Sequence, residues 1–393
     1  MKFIAIVSST FFLCVSAIAA PPPPKGNVPT KPFIAWSQSA DSGQIEFNGA
    51  TVVKDLLVVG SDSGDLSAFN CKTGKPVWKF SQGKRIYHSP SSDGNLVYST
   101  TEDGVSAVKV DSGIQFWNVN EPACDGPCLA LREKSLVYVG GHDGNLYAFH
   151  AQSGAVKWKA EYLSDRPKDP KGFEGNSARI TGTSARPNSL TTDGETIYLA
   201  VMDQCRVIAF NAETGKRATS YQTNGWVWGA PAVSKTRVFF GSQDGGFYAF
   251  DKATGKQVWR YETKGRADSG GTIDDESVYF GSSDGNLYCV NLADGKERWK
   301  FAAKPEANRR KGVYSTPVVQ KHVVYFASCE GVAYALADHN GEVIWKQRLQ
   351  ADSDVYSATI TDGTNFFWIT RPSGNGPRND RKGTSAVVSV GVK

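Results

Sequence analysis

Arginine dominates the residues of this chain that could do chemistry. Arg85 with His88, Arg186, Arg266 with Asp268, and Arg310 with Lys311 each fall just before a short strand signal. Glu46 and Asn48, Tyr87, Trp226 and Trp228, Tyr314, Asp354 and Tyr356 fall at the same kind of point. Cationic groups outnumber acids in this set. Brought together, they would attract an anion, and arginine would hold a carboxylate by bidentate pairing. The same charges could instead pair with one another on a solvated loop face. In Trp226-Val-Trp228, alternation puts both rings on one side of an extended segment. There they could stack on a planar ligand, hold a partner's apolar segment, or fill space.

Other chemistry finds little support. The five histidines are scattered, and none belongs to H-E-x-x-H or stands beside a serine nucleophile motif. His142 falls in a hairpin and His322 between strands, so solvation is their default; His88 is the one near the arginine set. There is no C-x-x-C-H, no paired C-x-x-C of a zinc site and no phosphate loop. Cys124 and Cys128 (CDGPC) are a candidate disulfide pair, and Cys289 stands where other repeats have alanine, as a small buried residue would. The net charge of +5 is spread along the chain, which disfavours a nucleic-acid partner.

The elements that must position these residues come from a repeat. An eleven-residue phrase runs from a small residue through Thr-Gly-Lys, or a variant of it, to Trp at 68–78, 107–117, 148–158, 209–219, 249–259, 289–299 and 335–345. The fourth copy ends on Thr219 instead. A period of about 40 residues means a propeller, a solenoid or an array. Around each phrase lie β-branched and aromatic runs separated by Asp-Gly or similar turns, the signal of hairpins. Four short antiparallel strands per repeat make one propeller blade. Trp78, Trp117, Trp158, Trp259, Trp299 and Trp345 then serve as packing residues between blades, and the Thr219 contact is expected to be the loosest.

Seven phrases give seven blades. Strand signals at 355–360, 365–370 and 384–390 lack a Trp strand, and residues 32–39 with Trp36 supply one. The expectation is an all-β, eight-bladed propeller over 32–393 whose eighth blade closes from both ends of the chain, with no exposed seam. Links between blades and one set of hairpins share a face, and the long insertions at 161–184, 302–311 and 371–382 belong to these two kinds of loop.

Residues 1–20 (MKFIAIVSSTFFLCVSAIAA) read as a signal peptide with an A-x-A-like cleavage site, and residues 21–31 as a Pro-rich spacer. Cys14 follows Phe-Leu without small residues, so it belongs to the apolar stretch and not to a lipid-attachment motif. No later segment is apolar for long enough to span a bilayer. The chain is therefore expected to be exported to the periplasm or outside the cell.

The repeat A-x-D/N-x-x-T-G-K-x-x-W resembles the tryptophan-docking repeat of the pyrroloquinoline-quinone (quinoprotein dehydrogenase-like) propeller superfamily, from about residue 32 onward. That superfamily includes dehydrogenases, sensor ectodomains and the noncatalytic scaffold of the outer-membrane assembly complex. The resemblance to a dehydrogenase would imply pyrroloquinoline quinone with calcium. Glu46 and Asn48 would then bind the metal, Asp268 would act as base, Arg85, Arg266 and Lys311 would hold quinone carboxylates, and Trp228 would be the stacking floor. The adjacent cysteine pair of the long dehydrogenases is absent, and the compact blades are similar in size to the scaffold. The favoured expectation is a monomeric, noncatalytic propeller presenting a loop-rich face to a protein partner, with a quinone-dependent dehydrogenase or a small-anion sensor as alternatives. In either ligand-binding alternative Arg85, His88, Arg186, Trp226, Trp228, Arg266 and Lys311 are the binding candidates.

Overall fold

The computed structural model describes residues 31–39, 47–120, 124–163, 186–303, 311–351, 353–373 and 385–392; the expected signal peptide, and the expected spacer up to residue 30, lie outside them. The described residues form eight antiparallel sheets, seven of four strands and one of five. In blade one the order from the centre outward is Phe47–Val53, Leu56–Ser61, Asp65–Asn70 and Pro76–Ser81. Blades two to seven repeat that order, and among the described residues there is no α-helix.

The eighth sheet joins the two ends of the chain. Pro32–Ser39 lies outermost and pairs antiparallel with Ala386–Val392, from Pro32 opposite Val392 to Ser39 opposite Ala386. Phe366–Pro372 comes next, and Ser353–Val355 and Ile360–Thr361 both pair with it on the inner side. The ring thus has no free seam between its first and last blades.

Burial follows from this stacking. A middle strand is covered on both faces by neighbouring blades, so Leu56–Ser61 and Leu96–Thr101 are buried along their whole length. An outer strand is covered on one face only, and of Gln257–Glu262 just Trp259 is buried. Between blades the contacts are apolar and aromatic. Phe247 stacks on Phe280 with ring centroids 3.8 Å apart, and Tyr325 stacks on Phe366 at the same distance.

The tryptophans bridge each blade to the next. The indole N–H of Trp36, Trp78, Trp117, Trp158, Trp259 and Trp299 donates to a backbone carbonyl of the following blade, at 2.6–3.2 Å. Each of these indoles lies over the glycine of that blade's Thr-Gly turn or its variant, where a Cβ would approach the ring to 2.6–2.9 Å. The same glycines have φ of 67–73°, which side-chain-bearing residues rarely adopt. Turn and packing therefore demand the same residue.

Two junctions depart from the pattern. The indole nitrogen of Trp345 is buried without a partner among the described residues. The eighth blade is interrupted where its third-to-fourth turn would be, because its outer strand comes from the other end of the chain. At the fourth junction Tyr221, two residues beyond Thr219, donates its hydroxyl to Lys252 O at 2.9 Å. Lys252 corresponds in its phrase to Val110, the acceptor for Trp78. The contact is thus better tied than the sequence suggests, since side chains at i and i+2 share a face of a strand.

The expected Cys124–Cys128 bridge is corrected: no disulfide joins the two, and none forms among the described cysteines. Gly126 N–H donates to Gly140 O and Gly140 N–H to Pro127 O, so the chain between them runs on into the inner strand instead of folding back. Cys124 is fully buried, and the Cys128 thiol sits 3.5 Å from Tyr98 O.

Candidate functional site

The links that cross from an outer strand to the next inner strand share a local code. A buried plug stands in five of them: Ile86, Val227, Ala267, Val313 and Val355, all at 0% exposure. Backbone bonds pin the plugs to the hairpin of the preceding blade. Ile86 N–H donates to Ser61 O, Ala267 to Ser242 O and Val313 to Ser282 O, at 2.9–3.1 Å. The turn aspartates hold the links as well: Asn224 N–H donates to Asp244 and Lys264 N–H to Asp284, each at 3.0 Å. Alternation about the plug then turns the next residue toward the axis of the ring.

Those next residues are Tyr87, Trp228, Asp268, Tyr314 and Tyr356, and all five line a central cavity of about 650 Å³ to which all eight blades contribute. His88 and Arg266 line it too. Below this mouth the wall is small, with Gly49, Ala50, Gly229, Ala230 and Gly270 among its residues. The aromatic wall is continuous on one side, where Tyr314 stacks on Tyr356 at 5.4 Å. Tyr87 and Trp228 are each 43% exposed at the rim.

The charges at the mouth are paired. Arg266 Nε lies 3.0 Å from Asp268 Oδ2, and the Asp268 side chain is only 10% exposed. Burial raises its carboxyl pKa, opposed by Arg266 and Gln243, and its Oδ1 is buried without a hydrogen-bond partner among the described residues. Arg85 turns away from the cavity to Asp62, at 3.2 Å, and covers the ring of Tyr87. His142 pairs with Asp125 beside the mouth. Burial, with His142 nearby, pushes the His88 imidazole down to about 4, so it is neutral near pH 7.

The structure thus gathers only part of the set read from the sequence. His88, Trp228, Arg266 and Asp268 meet at one cavity; Arg85, Arg186, Lys311 and Trp226 do not line it. Arg186 and Lys311 are exposed. The Trp226 carbonyl accepts from Gln243 N–H and its side chain does not line the cavity, while Trp228 reaches it. The expected convergence of cations is therefore corrected: ring curvature and the pairing with Asp62 and Asp268 dissolve it. Glu46 and the side chain of Asn48 lie outside the described residues. The residues present do not fit a quinone with calcium well. Of its three expected cationic contacts only Arg266 lines the cavity, and Asp268 is committed to that arginine. Among the described residues no three His, Cys, Asp or Glu side chains are grouped as a metal site. Tyr314 and Tyr356, which the sequence puts at the same link position as Tyr87 and Trp228, line the cavity, whereas no repeat signal marks the Asp125–His142 pair.

Comparison with known proteins adds a family. The profile described as "Outer membrane protein assembly factor BamB" matches residues 34–188 and 172–374. Among curated relatives of that name, the one from Burkholderia pseudomallei is 29% identical over 37% of this chain and 39% of its own length. The one from Bordetella pertussis is 22% identical over 47% of this chain and 56% of its own length. The matched stretches therefore span about two-fifths to just over half of these relatives. Among solved structures, BamB from Moraxella catarrhalis superposes with a TM-score of 0.67 at 17% identity, over 92% of this chain and 100% of that one. Quinohemoprotein alcohol dehydrogenase from Comamonas testosteroni gives 0.68 at 15% identity, over 92% of this chain and 76% of that one. At such identities the likeness is one of fold.

Proposed function

The chain belongs to the outer membrane protein assembly factor BamB family, and from that premise we propose that it is an exported, noncatalytic scaffold that docks a protein of the outer-membrane assembly machinery on its channel-mouth face. The observation that supports this most is the rim itself. Tyr87 and Trp228 stand exposed on links held by buried plugs, so large amphipathic rings are presented with little freedom left to lose on binding. The charges around them are already paired, which suits a contact surface better than capture of a small anion. Removal of a signal peptide at residues 1–20 would place the propeller in the periplasm.

The test is site-specific photocrosslinking in intact envelopes. A probe in place of Trp228 is expected to form an adduct with a component of the assembly machinery, while a probe in place of Lys346, exposed on the outer edge, is not. Adding Tyr87→Ala to the probed chain should reduce the adduct. In parallel, thermal unfolding with pyrroloquinoline quinone and calcium is expected to show no shift. No adduct at residue 228, or a clear rise in Tm with the quinone, would overturn the scaffold reading; the latter would favour a dehydrogenase.

A further inference from the structure

We infer that the junction between blades four and five is an open tryptophan slot, which takes the indole of a Trp side chain carried by a partner polypeptide. The chain supplies its own template for this site. At six junctions an indole lies over the turn glycine of the next blade and donates its N–H to that blade's carbonyl. Within its own blade the ring packs on an aromatic of the second strand: Tyr98 with Trp117, Tyr138 with Trp158, Phe239 with Trp259 and Tyr279 with Trp299. A cross-strand alanine backs it, as in Ala107 opposite Trp117 and Ala249 opposite Trp259.

At the fourth junction these walls remain but no indole stands between them; Tyr221 packs on Tyr198 instead, with ring centroids 6.4 Å apart. Tyr198 stands where Tyr98 and Tyr138 stand, Ala209 is the backing alanine, and Gly255 keeps the turn with φ 70°. Thr219 fills only the beginning of the slot, its Cγ2 lying 2.7 Å from where a Cβ on Gly255 would be. Beyond it a cavity of about 320 Å³ is lined by Tyr198, Ala209, Thr219, Tyr221 and Lys252, within the range of small-ligand pockets. Tyr221 uses one lone pair of Lys252 O, and a carbonyl has a second for an indole N–H. Lys235, exposed, also lines the cavity, so the slot opens to solvent beside a cation, a favourable neighbour for an indole face. It lies on the side of the Thr-Gly turns, away from the channel mouth, and does not depend on the proposed use of that mouth.

Fluorine NMR of N-acetyl-fluorotryptophanamide, titrated with the mature chain, tests the inference. The wild-type protein should bind the probe saturably. The Thr219→Trp variant, which fills the slot from within, should melt higher and bind about tenfold or more weakly, while Trp228→Ala at the mouth should leave binding unchanged. If Thr219→Trp does not fold, Thr219→Leu should weaken the probe instead. The inference falls if the wild type does not bind, if a folded Thr219 variant binds equally well, or if Trp228→Ala abolishes binding. Binding of free fluoroindole with exclusion of the amide would also overturn it, because the slot would then serve a small molecule and not a side chain.

Discussion

His88 shows how a single residue at the mouth couples the site to stability. Its imidazole is held at about 4 against an ordinary 6.5, chiefly by burial. Between these values the unfolded chain binds the proton and the native chain does not. Stability therefore falls as pH drops through that window, and above it the residue contributes no pH dependence. His88→Gln should flatten the profile: its urea midpoint should change less than the wild type's between about pH 7 and about pH 5. An unchanged slope would mean that the imidazole is solvated in the native state. Trp345 offers a second reading at this scale. Trp299 donates to Asp338 O at 2.6 Å, whereas the Trp345 nitrogen is buried without a partner among the described residues. Trp299→Phe should therefore cost about 1 kcal/mol more than Trp345→Phe, read from urea midpoints.

Elements are coupled through the Thr-Gly turns. Gly113 has φ 67°, and a Cβ there would lie 2.7 Å from the Trp78 ring. Gly113→Ala should strain the turn and displace the indole together, costing about 2 kcal/mol or more. The cost should shrink in a Trp78→Ala background, because the clash is gone and only the backbone term remains. Equal costs in both backgrounds would show that the turn, not the packing, carries the penalty. The same logic explains why the fourth blade tolerates Thr219. Tyr221 supplies the hydrogen bond from two residues further along the strand and packs on Tyr198, and a cavity of about 320 Å³ stays open beside it.

The whole molecule depends on the strand Pro32–Ser39, which covers the edge of Ala386–Val392 and brings Trp36 over the turn of blade one. Removing it would expose the apolar run around Val387 and Val388 as a free sheet edge. The truncated chain is expected to aggregate on purification or to unfold over a broadened transition; a monomer with wild-type cooperativity would show that the eighth blade closes without it. Much of this architecture was legible in the sequence. Blade number, the docking tryptophans and closure by both chain ends follow from a motif that repeats locally, and each copy constrains the others. The mouth was half legible. Link position alone marks Trp228, Arg266 and Asp268, but nothing local tells that Arg85 turns to Asp62 or that Trp226 stays out of the cavity. Nor does spacing reveal that Tyr221 reaches Lys252 or that a slot lies open beside it. Those outcomes depend on distances between residues of different blades, which ring curvature sets and no local pattern encodes.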